Sequence, residues 1–369
     1  MKKNKHESSM DYVLLTAILI LLLIGLVMVF SASSIWADYK LGDSLFYVKR
    51  QLLFSVVGLI GIWFMLKIPY YRWLNSSVLI YVVCVLLLIA LFIPGVGMVR
   101  GGAKSWIGVG AFSIQPSEFM KLGLILLFAH ILPKKQHQLH SVTSGFLPML
   151  LLIFIPFGLM MLQPDLGTGL VFVLTGMLML FIAGSNIKHF ISLGVLGIGG
   201  LAGLIISAPY RINRIKAFLN PWEDPLGDGF QIIQSLYAIG PGGLMGLGLG
   251  NSMQKYFYLP EPQTDFIFSV IAEELGLIGG TFILFLFFVI VWRGVLIAIH
   301  SQDLSATLLA FGITSMIMIQ VMINISVVIG LIPVTGITLP LLSYGGSSLT
   351  LTLISLGLLL NLSRYATIR

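Results

Sequence analysis

Asp265 stands at the head of a long apolar run, in YLPEPQTDFIFSVIAEELG (Tyr258–Gly276). The chain has only 14 acidic residues, and four of them, Glu261, Asp265, Glu273 and Glu274, fall in this stretch. A carboxylate at an apolar boundary loses solvation, its pKa rises, and it becomes suited to take a proton as a general base. The same acid also suits a helix N-terminus, where the dipole favours negative charge. Glu273 lies two turns on, about 12 Å along a helix at 1.5 Å per residue. The two acids are therefore not a carboxylate pair of the glycosidase kind. Glu273 and Glu274 are expected to face the protein interior in hydrogen-bonded structural roles.

A second cluster lies in SWIGVGAFSIQPSEFMK (Ser105–Lys121). Pro116 fits the first turn of a helix. Glu118 and Lys121 then share a helix face at i, i+3 and can pair. Two readings stay open: a buried structural staple, or a Lys121 that contacts an anion with Glu118 fixing its position. A third group is basic: Lys49 and Arg50, then Arg100 and Lys104, with Arg211, Arg214 and Lys216 further on. Such residues suit a phosphate or pyrophosphate, and equally an anionic lipid headgroup. His137 and His140 lie in a basic loop without partners for a metal site. Cys84 is the single cysteine, so no intrachain disulfide forms. GMVRGGAKS departs from the P-loop pattern and has no strand before it. The glycines of GPGGLMGLGLG are read as permitting tight turns or close backbone packing.

These residues must be positioned by membrane helices. Of 369 residues, 57% are hydrophobic and 9% charged, against about 25% charged in soluble domains. The fold class is all-α: a polytopic integral membrane protein of about ten transmembrane helices. The spans run roughly over 12–33, 51–67, 76–94, 116–133, 143–162, 167–184, 188–208, 265–292, 305–330 and 346–363. The first is read as a retained helix rather than a cleaved leader. A polar, Gly/Pro-rich loop, 209–264, precedes span eight, and its aromatic residues argue that it packs on the membrane face. GLIPVTGITLPLLSYGGSSLT reads as a broken or re-entrant piece lining a cavity. With the N-terminus inside, the inner segments hold Lys2, Lys3, Lys5, Lys67, Arg72, Lys134, Lys135, Lys188, Arg293, Arg364 and Arg369. The short outer loops hold Lys40, Lys49, Arg50, Arg100 and Lys104. That asymmetry puts both termini in the cytoplasm and the long loop outside. The net charge of +7 follows from the inner loops, and no dense basic stretch with interleaved aromatics points to nucleic acid.

SIQPSEFMK, QPDLGTG, NPWEDPLGDGFQIIQSLYAIGPGG, YLPEPQTDFIFSVIAEELG and GLIPVTGITLPLLSYGGSS occur in this order. Together they resemble the SEDS (shape, elongation, division and sporulation) family over essentially the whole chain, 1–369. The wording of the long loop is closer to the FtsW/SpoVE branch than to RodA. The resemblance implies a ten-span fold in the bacterial cell membrane. It implies a peptidoglycan glycosyltransferase acting on lipid II at the outer leaflet, in sporulation or division. It implies Asp265 as the base that deprotonates the acceptor's GlcNAc 4-hydroxyl, with undecaprenyl pyrophosphate as leaving group. Gln115, Glu118 and Lys121 match its QPSExxK motif, and Arg50 matches the basic residue at the start of span two. The pattern G-A-x-R-W reads GAKSW here, so Lys104 takes the basic place one position early. Ser113 stands where some relatives carry a basic residue, which redistributes the leaving-group contacts.

The resemblance further implies a class B penicillin-binding protein as transpeptidase partner. No metal site is assigned. A divalent cation (Mg or Mn) is left to ride on the pyrophosphate. Two other functions compete with the polymerase: a lipid II flippase or transporter, and a scaffold that recruits the penicillin-binding protein. Intramembrane Glu118, Lys121 and Asp165, with the broken SYGGSS segment, would suit a transport path. The polymerase is favoured because the acid and the basic groups are assigned to one side, and a scaffold has no need of Asp265.

Overall fold

The computed structural model describes residues 9–100, 103–109, 112–206, 218–227 and 229–367. Each of the ten apolar stretches carries a helix: α1 (Tyr12–Leu41), α2 (Phe46–Lys67), α4 (Ser77–Ala90), α5 (Pro116–Lys135), α6 (Leu147–Leu162), α7 (Leu166–Ile182), α8 (Ile187–Ile206), α10 (Ile267–Ile299), α11 (Leu304–Val328) and α12 (Gly346–Ser363). Short helices α3 (Tyr70–Asn75) and α9 (Phe230–Ile239) complete the set. Seven described helical runs are long and apolar enough to cross a membrane, and Ser77–Ala90 and Leu166–Ile182 are apolar but shorter.

Carboxylates start three of these helices. Asp11, Asp165 and Asp303 accept from the backbone N–H of Leu14, Thr168 and Ala306, at 3.0, 3.4 and 2.7 Å. Each satisfies one of the orphan donors of a first turn. Helix ends depart from the apolar runs where polar residues continue the helix. α1 runs on to Leu41, so Trp36, Asp38 and Lys40 are helical, and Lys49 and Arg50 lie inside the first turns of α2.

The all-α expectation needs one amendment. The connection between α4 and α5 forms a three-stranded antiparallel sheet, β1 (Gly97–Arg100), β2 (Ala103–Val109) and β3 (Phe112–Ile114), in the order β1-β2-β3. Gly97 pairs with Ile107, and Ile107 pairs with Ile114.

α5, α11 and α12 are the most enclosed helices, and the remaining ones surround them with apolar faces turned outward. An apolar exterior is what lipid selects. The hairpin, the loop before α10 and the segment 331–345 gather at one end of the bundle, the loop-bearing end. α9 docks there against α10 and α11: the Ser235 hydroxyl lies 2.7 Å from that of Ser269 and donates to the Val328 carbonyl at 2.6 Å. Trp222 packs edge-on against Tyr237. The described part of the loop thus packs onto helices α10 and α11 through α9; Arg211, Arg214 and Lys216 lie outside the described residues.

α10 is broken. Gly276, with φ of 66°, interrupts the helix nine residues after it starts. The break frees the carbonyls of Glu273 and Glu274 and the N–H groups of Leu277 and Ile278. The glycine-rich loop answers each of them. Leu247 N–H donates to Glu273 at 2.9 Å, Gly248 N–H to Glu274 at 3.0 Å, Leu277 N–H to Gly243 at 2.9 Å and Ile278 N–H to Leu244 at 3.2 Å. Backbone freed within an apolar span must be satisfied by protein. A Cβ on Gly246 (φ 80°) would sit 2.2 Å from the Glu274 carbonyl oxygen, and one on Gly276 would sit 2.3 Å from Gly246 N. Only glycine serves at either place.

Candidate functional site

Asp265 lies two residues before α10, at the end of a turn in which the Thr264 N–H donates to the Glu261 carbonyl at 3.0 Å. The Thr264 hydroxyl donates to its carboxylate at 2.9 Å. Burial pushes the Asp265 carboxyl up to about 6, against the opposing pull of the Thr264 hydrogen bond. Desolvation disfavours the charged form and wins here. Its backbone carbonyl is held from α11, where Asn324 Nδ2 donates to it at 2.7 Å. Strain collects around this place. Phe257, Glu261 and Leu341 are non-glycine residues with positive φ, at 69°, 44° and 65°. All three belong to the two segments that frame Asp265, and such strain persists only where surrounding structure imposes it.

Lys121 donates to Glu118 at 2.8 Å, and both side chains are buried. The ammonium also donates to Gln320 Oε1 of α11 at 3.3 Å. Pro116 opens α5 as expected. Gln115 Nε2 and the Ser117 hydroxyl donate to Asp165 Oδ2 at 2.9 and 2.8 Å, which locks the start of α5 to the start of α7. Gln115 thus has a structural partner in Asp165.

The segment 331–345 joins these groups, which gives physical content to its reading as a broken piece. Gln320 and Asn324 donate to the carbonyls of Thr338 and Ile337 at 3.2 and 2.7 Å. Tyr344 N–H donates to the Gln263 carbonyl at 2.8 Å. Gln51, next to Arg50, donates to the Ser343 carbonyl at 3.0 Å. The Arg50 guanidinium lies over the Phe46 ring, 4.1 Å from its centroid. Tyr47 meets Tyr344 edge-on at 4.8 Å. Asp265, Lys121 and the first turns of α2 are therefore all fastened to one strand of irregular backbone.

Two basic residues stand apart. Lys49 pairs with Asp43 at 2.8 Å, and its hydrogen bond holds that exposed carboxyl below the usual range. Lys104 lays its aliphatic stem beside Gly97 within the sheet, and among the described residues no hydrogen bond joins it to Asp265 or Lys121. Arg100 contributes its backbone to β1.

Glu273 and Glu274 take the structural roles expected of them, with a partner that sequence reasoning missed. Lys255 reaches Glu274 at 3.2 Å, both side chains buried. Ser31 of α1 donates to the same carboxylate at 2.6 Å. Glu273 accepts from the Ser252 hydroxyl at 2.5 Å and from Met253 N–H at 2.8 Å. Gln320 and Asn324 were also missed. Two amides in the apolar run SMIMIQVMINIS were the available sign, since polar groups in such helices require partners. Among the described residues no group of three or more His, Cys, Asp or Glu is gathered to hold a metal ion.

Fold and site together define a largely helical, multi-pass membrane protein with a buried polar cluster at its loop-bearing end. The FTSW_RODA_SPOVE family, described as cell cycle protein, matches residues 12–368. Stage V sporulation protein E of Bacillus subtilis (strain 168) is 60% identical over 360 residues, covering 98% of each chain. The probable peptidoglycan glycosyltransferase FtsW of Trichlorobacter lovleyi is 43% identical over 363 residues, 98% of this chain and 95% of that one. Among solved structures, a chain from a study of the structural coordination of polymerization and crosslinking by a peptidoglycan synthase complex superposes with a TM-score of 0.79. It is 32% identical and the match covers 96% of this chain and 98% of that one. The Rod shape determining protein RodA of Thermus thermophilus superposes with a TM-score of 0.72 at 29% identity, over 98% and 99% of the two chains. The chain belongs to the FtsW/RodA/SpoVE family.

Proposed function

We propose that this protein is a peptidoglycan glycosyltransferase that polymerises lipid II at the outer face of the bacterial cell membrane, in spore-cortex or division-wall synthesis. The observation that carries the reading is Asp265: a carboxyl pushed up to about 6 by burial, at the mouth of α10. A base is most effective when its pKa lies near the operating pH. Both termini are cytoplasmic in this reading, which places the loop-bearing end outside.

Asp265 takes the proton of the acceptor's GlcNAc 4-hydroxyl. The freed oxygen pair forms a bond to the anomeric carbon of the growing strand. The bond from that carbon to the pyrophosphate oxygen breaks, and undecaprenyl pyrophosphate departs with the electron pair. The proton passes from Asp265 to water, which restores the base. Developing charge on the leaving group calls for cations fixed in advance. Lys121 has three donors, of which Glu118 and Gln320 use two, leaving one for an anion. Arg50 serves the same group from α2, and Lys104, which has no bond to the Lys121 network among the described residues, is assigned to it on the motif resemblance alone. A Mg or Mn ion would take its oxygens from the pyrophosphate. A class B penicillin-binding protein crosslinks the product, which accords with the synthase complex among the relatives.

Labelled lipid II, supplied to the purified protein with and without its cognate penicillin-binding protein, tests the reading on a gel, with the transpeptidase blocked. Glycan strands are expected from wild type and none from Asp265→Asn at equal folded yield. Folded, partner-bound wild type that makes no strand would favour lipid transport or scaffolding instead.

A further inference from the structure

Resting on Asp265 as the base, we propose that Gln320 and Asn324 are positioning residues that hold Lys121 and Asp265 in register on one strip of backbone, Ile337–Thr338. Both amides are buried, at 2% and 1% exposure, in a helix whose other polar side chains are all hydroxyls. A buried amide costs free energy unless its hydrogen bonds are met, so their presence demands a use. Four residues apart, they lie on one face of α11.

Each amide makes a bridge. Asn324 spends both Nδ2 protons on carbonyls, Asp265 at 2.7 Å and Ile337 at 2.7 Å. Gln320 donates to the Thr338 carbonyl at 3.2 Å and accepts from Lys121 at 3.3 Å. The two carbonyls on the strip belong to adjacent residues. Base and cation are thereby referred to a common frame, although 144 positions separate Asp265 from Lys121 in sequence (265 − 121). Neither amide touches the Asp265 carboxylate, so each acts through the backbone or through Lys121. Glu261, on the same turn, is the charged group that bears on that carboxylate.

The protein contains its own control. At the opposite end of the bundle Asn361 Nδ2 lies 3.0 and 3.2 Å from the carbonyls of Met65 and Ile68. It is buried to the same 1%, and it fastens α12 to the end of α2 far from Asp265. Loss of either asparagine removes a comparable clamp, so a purely structural role predicts the same consequence for both.

The experiment compares Asn324→Ala, Asn324→Ser, Gln320→Met and Asn361→Ala in the full chain with its penicillin-binding protein. Thermal stability and lipid II polymerisation rate are read across pH and substrate concentration. Asn324→Ala is expected to lose at least about tenfold in kcat with KM unchanged. Its acid limb should move below the wild-type midpoint as water reaches the carboxylate. Asn361→Ala should lose similar thermal stability yet keep kcat within about twofold and the midpoint unmoved. Asn324→Ser, with one donor left, should fall between Asn324→Ala and wild type. Should Asn324→Ala not fold, Asn324→Ser and Gln320→Met carry the comparison. Gln320→Met should lower kcat about tenfold with its midpoint unmoved.

Asn324 variants that match Asn361→Ala in kcat and midpoint would overturn the inference. So would a Gln320→Met with wild-type kcat. An Asp265→Asn variant that polymerises at the wild-type rate would instead refute the base itself, and is read separately.

Discussion

Lys255, in the loop before α10, reaches Glu274, inside that helix, at 3.2 Å with both side chains buried. The pair is closed on the third side by Ser31 of α1. One ion pair thus fastens the loop that leads to Asp265 onto two membrane helices.

Removing only one charge of that pair leaves the other uncompensated. Lys255→Met is expected to cost about 3–5 kcal/mol. The double variant Lys255→Met/Glu274→Gln should recover most of the loss. Thermal unfolding in detergent checks this, and a double variant no more stable than the single would contradict it.

The broken helix depends on two glycines. Gly246→Ala and Gly276→Ala each force a Cβ against backbone, at 2.2 and 2.3 Å, in left-handed conformations. Both should reduce folded yield severely, since backbone cannot yield as a flexible side chain does. Gly194→Ala, in α8 with open space around it, should leave yield unchanged or slightly raised. Equal yields from all three would show that the break is not built as described.

The two readings of Glu118 and Lys121 separate in a double variant. Lys121→Met strands a buried carboxylate and should lower the Tm, while Lys121→Met/Glu118→Gln should restore it. If Lys121 serves the pyrophosphate, the restored protein still lacks polymerase activity, by about a hundredfold or more. Recovery of activity together with stability would reduce the pair to a staple.

How far these features were legible depends on the distance over which each is determined. The helices follow from apolar runs, and the Glu118–Lys121 pair from a spacing of three. Asp265 stood out as an acid at an apolar boundary. The Lys255–Glu274 pair was not legible, because 19 residues and a loop of specific shape separate its members. Gln320 and Asn324 belong to no motif, and their partners are carbonyls, which every residue possesses. The hairpin was hidden by its glycines, which were weighed against a phosphate loop rather than against a turn. The role of GPGGLMGLGLG was legible only in kind: close packing was expected, but the break at Gly276 that it repairs has no signature in an otherwise continuous run.

The raised Asp265 carboxyl has a consequence for stability. Because the folded pKa exceeds the unfolded one, this group favours the folded state most below about 3.8, and that contribution is lost as pH rises to about 6. Above 6 the folded state carries a partly desolvated charge. Asp265→Asn removes it, so the variant should be more heat-stable than wild type at pH 7.5 while inactive. An Asp265→Asn protein less stable than wild type would mean that the carboxylate is well solvated and no strain is stored there.

The central claim is that the Asp265 carboxylate removes the proton, and the pH dependence of polymerisation tests it most directly. The kcat/KM for lipid II is measured from pH 5 to 8 in wild type and in Asp265→Asn, with the partner protein present and its transpeptidase blocked. An acid limb is predicted with its midpoint near 6, activity falling about tenfold per unit below it, and no polymer from the variant at any pH. A wild-type profile flat across that range, or a variant that retains both the rate and the limb, would contradict it.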